Sequence, residues 1–168
     1  MVGLFIKILF FLIPCWLINI TLNVFYHLKV KYNLEEKIDR PLDFGYNFFD
    51  QQRILGKSTT ILGLGVALLS GVIIELFLSN IFLGIFKALG MYFGHALGSF
   101  IKRRLKLKSG QFLPFIDHGD GIILTGFIFL ALGEINIKIF FFSLILTYIS
   151  YPILCYLAYK LGLREKPL

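Results

Sequence analysis

Two carboxylates lie close together in the stretch Phe115–Asp120. Asp117 and Asp120 are three residues apart, so they share one face if the stretch is helical. Paired carboxylates suit a divalent cation such as Mg²⁺ that is held together with substrate phosphates, because Mg²⁺ takes hard oxygen ligands. The alternative is that both carboxylates only form ion pairs with the cations of their own loop.

A cluster of cations precedes this pair, at the end of a long apolar stretch: Lys102, Arg103, Arg104, Lys106 and Lys108. Just before it, His95, Ser99 and Lys102 are spaced i, i+4 and i+7, so they share one face of a helix. Cations at a helix C-terminus complement the helix dipole and can hold phosphate groups. The alternative is that the cluster only sets the membrane topology and contacts lipid headgroups.

A second polar stretch lies earlier in the chain. Its residues 40–60 contain Asp43, Asp50, Arg53 and Lys57, together with several hydroxyl groups. Taken alone, this stretch is typical of a solvated loop. Taken with the later cluster, it supplies cations for a polyphosphate and carboxylates for its metal, which is what phosphoryl or nucleotidyl transfer requires.

The composition indicates what must position these groups. Of 168 residues, 57% are hydrophobic and only 16% are charged, whereas a soluble domain is nearer half apolar and a quarter charged. The sequence therefore predicts an all-α, polytopic membrane protein with a single integral membrane domain over residues 1–168. The net charge of +7 is clustered rather than spread, so no nucleic-acid partner is expected. The two cysteines lie inside apolar stretches and predict neither a disulfide nor a metal site.

Five apolar stretches predict five transmembrane helices, at about 4–26, 59–78, 81–101, 121–135 and 139–161. The fourth is short for a hydrocarbon core of roughly 30 Å. Either Asp120 lies below the headgroups or this helix does not cross fully. Two long loops, 27–58 and 102–120, separate the helices on one side.

The cations predict the orientation. Fourteen of the 17 Lys and Arg residues fall in the two long loops and the C-terminal tail, all on one side of the predicted membrane. The positive-inside rule places that side in the cytoplasm. We therefore expect a multi-pass protein of the cell membrane with an outside N-terminus and a site that faces the cytoplasm.

Two further patterns concern the predicted helices. Gly90, Gly94 and Gly98 recur every four residues, a spacing that lets another helix backbone approach closely. The alternative use of this bare backbone is the close approach of a ligand. Glu75 and Lys87 lie within the predicted spans, near enough to helix ends that snorkelling to the interface is expected.

The polar segments resemble those of one family, the CDP-archaeol synthases. The resemblance runs from about residue 41 to 126, and its segments are Arg-Pro-Leu-Asp-Phe-Gly (40–45), Asp-x-x-Arg-Ile-Leu-Gly-Lys (50–57), Gly-Ser-Phe-Ile-Lys-Arg-Arg (98–104) and Ile-Asp-x-x-Asp (116–120). It implies a five-helix membrane enzyme that joins CTP to the phosphate of an ether-linked isoprenoid glycerolipid. It also implies the release of pyrophosphate and a need for Mg²⁺.

The resemblance implies a role for each of ten residues. The metal would be held by Asp117, Asp120 and His95; the catalytic groups would be Lys102, Arg103 and Ser99; the substrates would be bound by Arg53, Lys57, Arg104 and Asp43. The chain departs from the family pattern at His95, where the family usually has Asp, and at Thr59 and Leu62 in the first loop. The partners are then CTP, a lipid phosphate and membrane lipids, and the oligomeric state stays open.

Three alternatives stay open from sequence. One is a non-catalytic or altered-substrate protein on the same scaffold, which the departures at His95, Thr59 and Leu62 suggest. Another is a cytidylyltransferase for acyl phosphatidate. The third is a small transporter, which only the charges of Glu75 and Lys87 at membrane depth suggest.

Overall fold

The computed structural model describes residues 2–32, 39–56, 58–107, 111, 113, 115–160 and 162. They form five helices and no strand: α1 Val2–Lys31, α2 Ile61–Leu78, α3 Ile81–Arg104, α4 Ile116–Ala131 and α5 Ile137–Lys160. The prediction of an all-α fold with five helices is confirmed. Helix α3 lies at the centre, because it packs along both α2 and α4, while α1 packs mainly against α2.

Four of the helices, α1, α2, α3 and α5, are long and apolar enough to cross a membrane. Helix α4 has 16 residues. At about 1.5 Å per residue it spans roughly 24 Å, less than the hydrocarbon core. The protein is an integral membrane protein whose short helix carries its polar groups into one end of the bundle.

The predicted start of α4 at Gly121 was wrong, because the helix begins five residues earlier. The cause is local. The Leu113 N–H donates to Asp117 Oδ2 at 2.8 Å, and the Asp117 N–H donates to the Leu113 carbonyl at 3.1 Å. A carboxylate in the first turn satisfies a backbone donor and complements the dipole, so both Asp117 and Asp120 become part of the helix.

The Gly90, Gly94 and Gly98 stripe faces α4. An added Cβ at Gly90 would lie closer than 3.0 Å to Thr125, and one at Gly94 would lie equally close to the backbone of Asp120 and Gly121. The helix-packing interpretation of the stripe is confirmed for these two glycines. Close backbone approach brings the N-terminus of α4 directly against α3.

Replacement of Gly94 by Ala is expected to destabilise the protein by about 1–3 kcal/mol, because the new methyl group meets backbone atoms that cannot rotate away. Thermal unfolding in detergent measures it. Gly65→Ala is the matched control, since nothing lies within 4 Å of its added Cβ. The control should be neutral or stabilising, and equal melting temperatures for the two variants would contradict the close crossing.

Glu75 and Lys87 do not snorkel; that prediction was wrong. They form an ion pair with Lys87 Nζ 2.5 Å from Glu75 Oε1, and their side chains are 1% and 5% exposed. Lys87 Nζ also donates to the Phe10 carbonyl at 3.1 Å. That carbonyl is four residues before Pro14, which has no N–H to give it, so Lys87 supplies the hydrogen bond that α1 lacks.

Candidate active site

The C-terminal half of α3 and the first turns of α4 bring the predicted chemical groups together. Lys102 Nζ lies 2.8 Å from Asp117 Oδ1, and His95 Nδ1 lies 2.7 Å from Asp120 Oδ1. These four side chains form two cation–anion or imidazole–carboxylate pairs across the helix crossing. We call them the crossing quartet.

Asp120 is the more enclosed carboxylate, with its side chain 10% exposed. Its Oδ1 also accepts a hydrogen bond from the Gly121 N–H at 2.6 Å. Its Oδ2 lies against Gly98, where an added Cβ would be closer than 3.0 Å to it. Gly98 therefore makes room for the Asp120 side chain, which is helix packing; the alternative that a ligand approaches this bare backbone stays a prediction.

Of the two ring nitrogens of His95, Nδ1 forms a hydrogen bond with Asp120 and Nε2 has no hydrogen-bond partner among the described residues. Because a carboxylate only accepts hydrogen bonds, Nδ1 carries the proton that faces Asp120. Nε2 is buried and has no hydrogen-bond partner among the described residues. A histidine whose first nitrogen is oriented by a carboxylate is the usual arrangement of a metal ligand, with the second nitrogen turned to the ion.

The described residues contain no group of three His, Cys, Asp or Glu side chains in metal-binding geometry. Asp117 and Asp120 each already receive one neighbouring side chain and one backbone N–H. Hard carboxylate oxygens beside cations still fit Mg²⁺, because that ion is commonly held by one or two carboxylates together with substrate phosphates. The donor set suits an ion that arrives with the nucleotide better than a resident ion.

Arg103 and Arg53 form the second feature of the site. The Nε atom of each is buried and lacks a hydrogen-bond partner in the part of the chain that the structure describes. The two residues belong to the same end of the bundle, because Arg104, which follows Arg103 in the chain, donates to the Arg53 carbonyl at 2.7 Å. Two neighbouring cations with unused donors suit an anion that bridges them, as a phosphate group does.

Arg104 holds the first loop in place. Its NH2 donates to the Arg53 carbonyl at 2.7 Å, and its Nε lies 3.0 Å from Asp50 Oδ2. Its guanidinium centre is 4.9 Å from the Phe48 ring and 4.8 Å from the Phe100 ring. These contacts join α3 to the first loop, so Arg104 acts as a clamp between them, while its Nε and NH1 atoms are buried without a hydrogen-bond partner among the described residues.

Asp43 has a similar organising position. Its Oδ1 accepts from the Gly45 N–H and from Arg53, and its Oδ2 accepts from the Leu55 N–H. Burial raises the pKa of the Asp43 carboxyl group, but these hydrogen bonds outweigh burial and hold the pKa below its usual value. The ionised carboxylate thus fixes the loop and aims Arg53.

Ser99 shares its sequence spacing with His95 and Lys102 but has a different partner. Its hydroxyl oxygen accepts a hydrogen bond from the Gly56 N–H at 2.8 Å. It therefore joins α3 to the first loop, and its own O–H proton stays available to a substrate. Lys57, which follows Gly56 in the chain, lies outside the residues that the structure describes.

Sequence reasoning missed Asp39, which positions the start of α2. Its Oδ2 lies 2.9 Å from Lys29 Nζ, and its Oδ1 accepts from the Leu62 N–H at 3.2 Å. Burial raises the pKa of Asp39, but the hydrogen bonds from Lys29, Thr60 and Leu62 lower it further than burial raises it. No local spacing could have signalled this contact, because Asp39 and Leu62 are 23 positions apart in the chain.

Comparisons with known proteins agree on one family. A family model described as "CarS-like: CDP-archaeol synthase" matches residues 74–168. The CDP-archaeol synthase of Methanococcus aeolicus is 32% identical over an alignment of 144 positions, and the match covers 74% of this chain and 81% of the relative. That of Sulfolobus acidocaldarius is 31% identical over an alignment of 139 positions, and the match covers 78% of this chain and 85% of the relative.

One solved structure has the same fold. It is described as that of "an intramembrane enzyme for archaeal membrane lipids biosynthesis" and superposes with a TM-score of 0.65 at 24% identity. The match covers 85% of this chain and 89% of the other. The helical arrangement that forms the crossing quartet is therefore a known one.

Proposed function

This chain belongs to the CDP-archaeol synthase family, and we propose that it carries out that family's reaction on an ether-linked isoprenoid glycerol phosphate. It is a nucleotidyltransferase, a CTP-dependent cytidylyltransferase that activates a lipid phosphate. The product is a CDP-lipid for phospholipid synthesis. One domain over residues 1–168 carries the activity.

One observation supports the proposal most: the crossing quartet places carboxylates and cations within 3 Å of each other, on the helix whose end also carries Arg103 and contacts the loop of Arg53. Phosphoryl-type transfer needs charge neutralisation and alignment more than covalent chemistry. Such a mixed cluster at one end of a membrane bundle supplies both. A transporter would need polar groups along a path through the bundle, whereas Glu75 and Lys87 are already paired with each other.

In the proposed reaction, an oxygen of the lipid phosphate attacks the α-phosphorus of CTP. A bond forms between this lipid oxygen and the α-phosphorus. The bond between the α-phosphorus and the oxygen that bridges it to the β-phosphorus breaks. Pyrophosphate leaves with that electron pair. Lys102 and Arg103 hold the phosphates in line, Arg53 closes from the first loop with Lys57, and Ser99 donates its O–H to a phosphate oxygen.

We assign Mg²⁺ as the cofactor, and Asp117, Asp120 and His95 as the residues that would hold it. When bound, it supplies positive charge against the triphosphate and the leaving pyrophosphate. Asp120 either ligates directly or orients His95, and both roles need its negative charge. Asp117, which pairs with Lys102, would offer its other charge-bearing contacts to the ion.

His95→Asp is expected to raise the affinity for Mg²⁺, because a carboxylate is a harder ligand than imidazole. The native protein should use Mn²⁺ relatively better than the variant does. Turnover against both ions, together with direct Mn²⁺ binding followed by EPR, measures the shift. Identical metal profiles for the two proteins would mean that residue 95 does not contact the ion.

The experiment that tests the reaction uses the purified protein in lipid nanodiscs with CTP, Mg²⁺ and a panel of lipid phosphates. The panel holds an ether-linked isoprenoid glycerol phosphate, an acyl phosphatidate of matched chain length and a non-lipid glycerol phosphate. A CDP-lipid is expected mainly from the first. A larger rate with acyl phosphatidate would overturn the substrate assignment, and no product from any member would overturn the reaction.

We propose that the site faces the cytoplasm, because 14 of the 17 Lys and Arg residues belong in sequence to the two predicted loops and the C-terminal tail on that side. Single cysteines at Gln52 and Asn136 test this in intact cells, since both positions are exposed or half-buried and the native Cys15 and Cys155 are buried. A membrane-impermeant maleimide should label position 136 and not position 52. The opposite pattern would invert the topology.

A further inference from the structure

The first loop contains a tight turn, residues 47–53, that we call the loop-1 turn. Its two ends pair through Asn47 and Arg53. Within it, the Phe48 N–H donates to the Gln52 carbonyl at 2.8 Å, and the Gln51 N–H donates to the Phe48 carbonyl at 2.9 Å. The turn is well ordered by its own hydrogen bonds, yet Phe49 at its tip is 96% exposed.

The loop-1 turn is fixed to the end of α3. The Phe48 ring packs edge-on against Phe100 with 5.5 Å between centroids. Arg104 is stacked against both rings and donates to the Arg53 carbonyl. The position of Phe49 is therefore set by α3, not by a free loop.

The side of α3 that holds the turn is the side that faces lipid. Phe93, Leu97, Phe100 and Arg104 follow each other at intervals of three or four residues, which is about one helical turn each. The four side chains therefore share one face of α3. Phe93 and Leu97 are exposed on that face, at 40% and 52%. Because α3 spans the membrane, these exposed apolar side chains contact lipid, and the loop-1 turn lies where their row ends.

We propose that Phe49 is inserted into the interfacial layer of the bilayer and that the loop-1 turn docks the first loop on the lipid surface. Phe is among the apolar side chains that bury at the boundary between headgroups and acyl chains, whereas a Phe left in water would gain nothing from its exposed ring. The occupant of this surface is lipid, because the turn continues the lipid-facing row of α3 and both ends of its loop are joined to spanning helices.

The same turn also reaches the candidate active site. Arg53, at its far end, pairs with Asp43 at 2.9 Å, and its carbonyl accepts a hydrogen bond from Arg104, the residue that follows Arg103. The turn thus holds an aromatic group in lipid and a cation at the phosphate site within five residues. Resting on the proposed function, this geometry assigns the turn to reception of the lipid phosphate: Phe49 sets the depth at which the headgroup meets Arg53 and Arg103.

Fluorescence quenching tests the docking without any need for catalysis. Trp16 is the chain's one tryptophan, so Phe49→Trp is made in a Trp16→Phe background and placed in nanodiscs. Lipids brominated near the headgroup end of their chains should quench the new tryptophan strongly, and aqueous iodide should quench it weakly. Strong iodide quenching with no effect of the brominated lipids would overturn the proposal.

Kinetics test the role in substrate reception. Phe49→Ser is expected to raise the KM for the lipid phosphate by about threefold to tenfold, because it removes the proposed aromatic contact with lipid, while the KM for CTP stays unchanged. Phe49→Leu should restore most of the loss. A rise confined to the KM for CTP would instead identify Phe49 as a platform for the cytosine base and overturn the lipid assignment.

Phe49 touches little besides its neighbour Phe48, so unchanged melting temperatures are expected for both variants. An inactive wild-type protein that still shows lipid quenching would refute the proposed reaction and leave the docking intact. An active protein that shows no lipid quenching would refute the docking and leave the proposed reaction intact.

Discussion

Asp117→Asn and Asp120→Asn are each expected to lower turnover by at least about a hundredfold, with little change in the melting temperature. Each change removes a negative charge but keeps an oxygen that accepts the same backbone N–H, from Leu113 or Gly121. The start of α4 is thereby preserved. What is lost is the charge that offsets Lys102 or orients His95 and that would hold the metal.

Asp50→Asn is the matched control for both. Its carboxylate also pairs with an arginine at the same end of the bundle, but it belongs to the clamp around Arg104 and is 40% exposed. Turnover of this control should fall by less than about threefold, since exposed ion pairs contribute little. Turnover near the wild-type value in both Asp117→Asn and Asp120→Asn would place the metal and the chemistry elsewhere.

Lys87→Met is expected to destabilise the protein by about 3–5 kcal/mol, the largest stability effect among these predictions. The change leaves Glu75 charged and buried without its cation, and it leaves the Phe10 carbonyl beside Pro14 without its donor. The ring faces of Phe11 and Phe129 also lose the ammonium group that lies 5.9 and 5.5 Å from their centroids. Unfolding in mixed micelles with increasing SDS measures the loss.

The double variant Glu75→Gln/Lys87→Met is the control that separates charge from packing. Because it removes both charges, it should recover a large part of the loss seen in Lys87→Met. Turnover of the folded fraction should be near that of the wild type, since the pair lies at the opposite end of α3 from the crossing quartet. A single variant as stable as the wild type would mean that the pair is not buried in the native membrane.

The sequence was sufficient for the features that depend on local spacing. The apolar stretches predicted five helices, and the Gly90 and Gly94 spacing predicted a close crossing. The structure confirms both. The i, i+7 relation of His95 and Lys102 also placed them on one face, where they meet the two carboxylates of α4.

Features that depend on contacts between distant segments could not be predicted. Arg104 belongs to the same cation cluster as Lys102, so their sequence context does not separate their roles. The fold of the first loop makes Arg104 a clamp, whereas Lys102 lies beside Asp117. Lys87 pairs across helices and also reaches a carbonyl 77 positions away. Hydropathy detects the cost of such a charge but not the partners that offset it.

The start of α4 shows a third kind of failure. Hydropathy predicted that the helix begins at Gly121, after the last charged residue. In the structure, the Asp117 carboxylate and the Leu113 backbone form reciprocal hydrogen bonds, and these extend the helix by about a turn towards its N-terminus. This extension places Asp120 deep enough to reach His95. The same residues that weaken the hydrophobic signal are those that build the site.

The most direct measurement of the central claim follows each phosphate of CTP through the reaction. Purified protein in nanodiscs is given the lipid phosphate, Mg²⁺ and CTP labelled with ³²P at either the α or the γ position. Cytidylyl transfer predicts that the α label appears in the lipid product, that the γ label appears in pyrophosphate, and that Asp120→Asn abolishes both. Transfer of the γ label to lipid, or neither label moving with the wild-type protein, would contradict the assignment of this chain as a cytidylyltransferase.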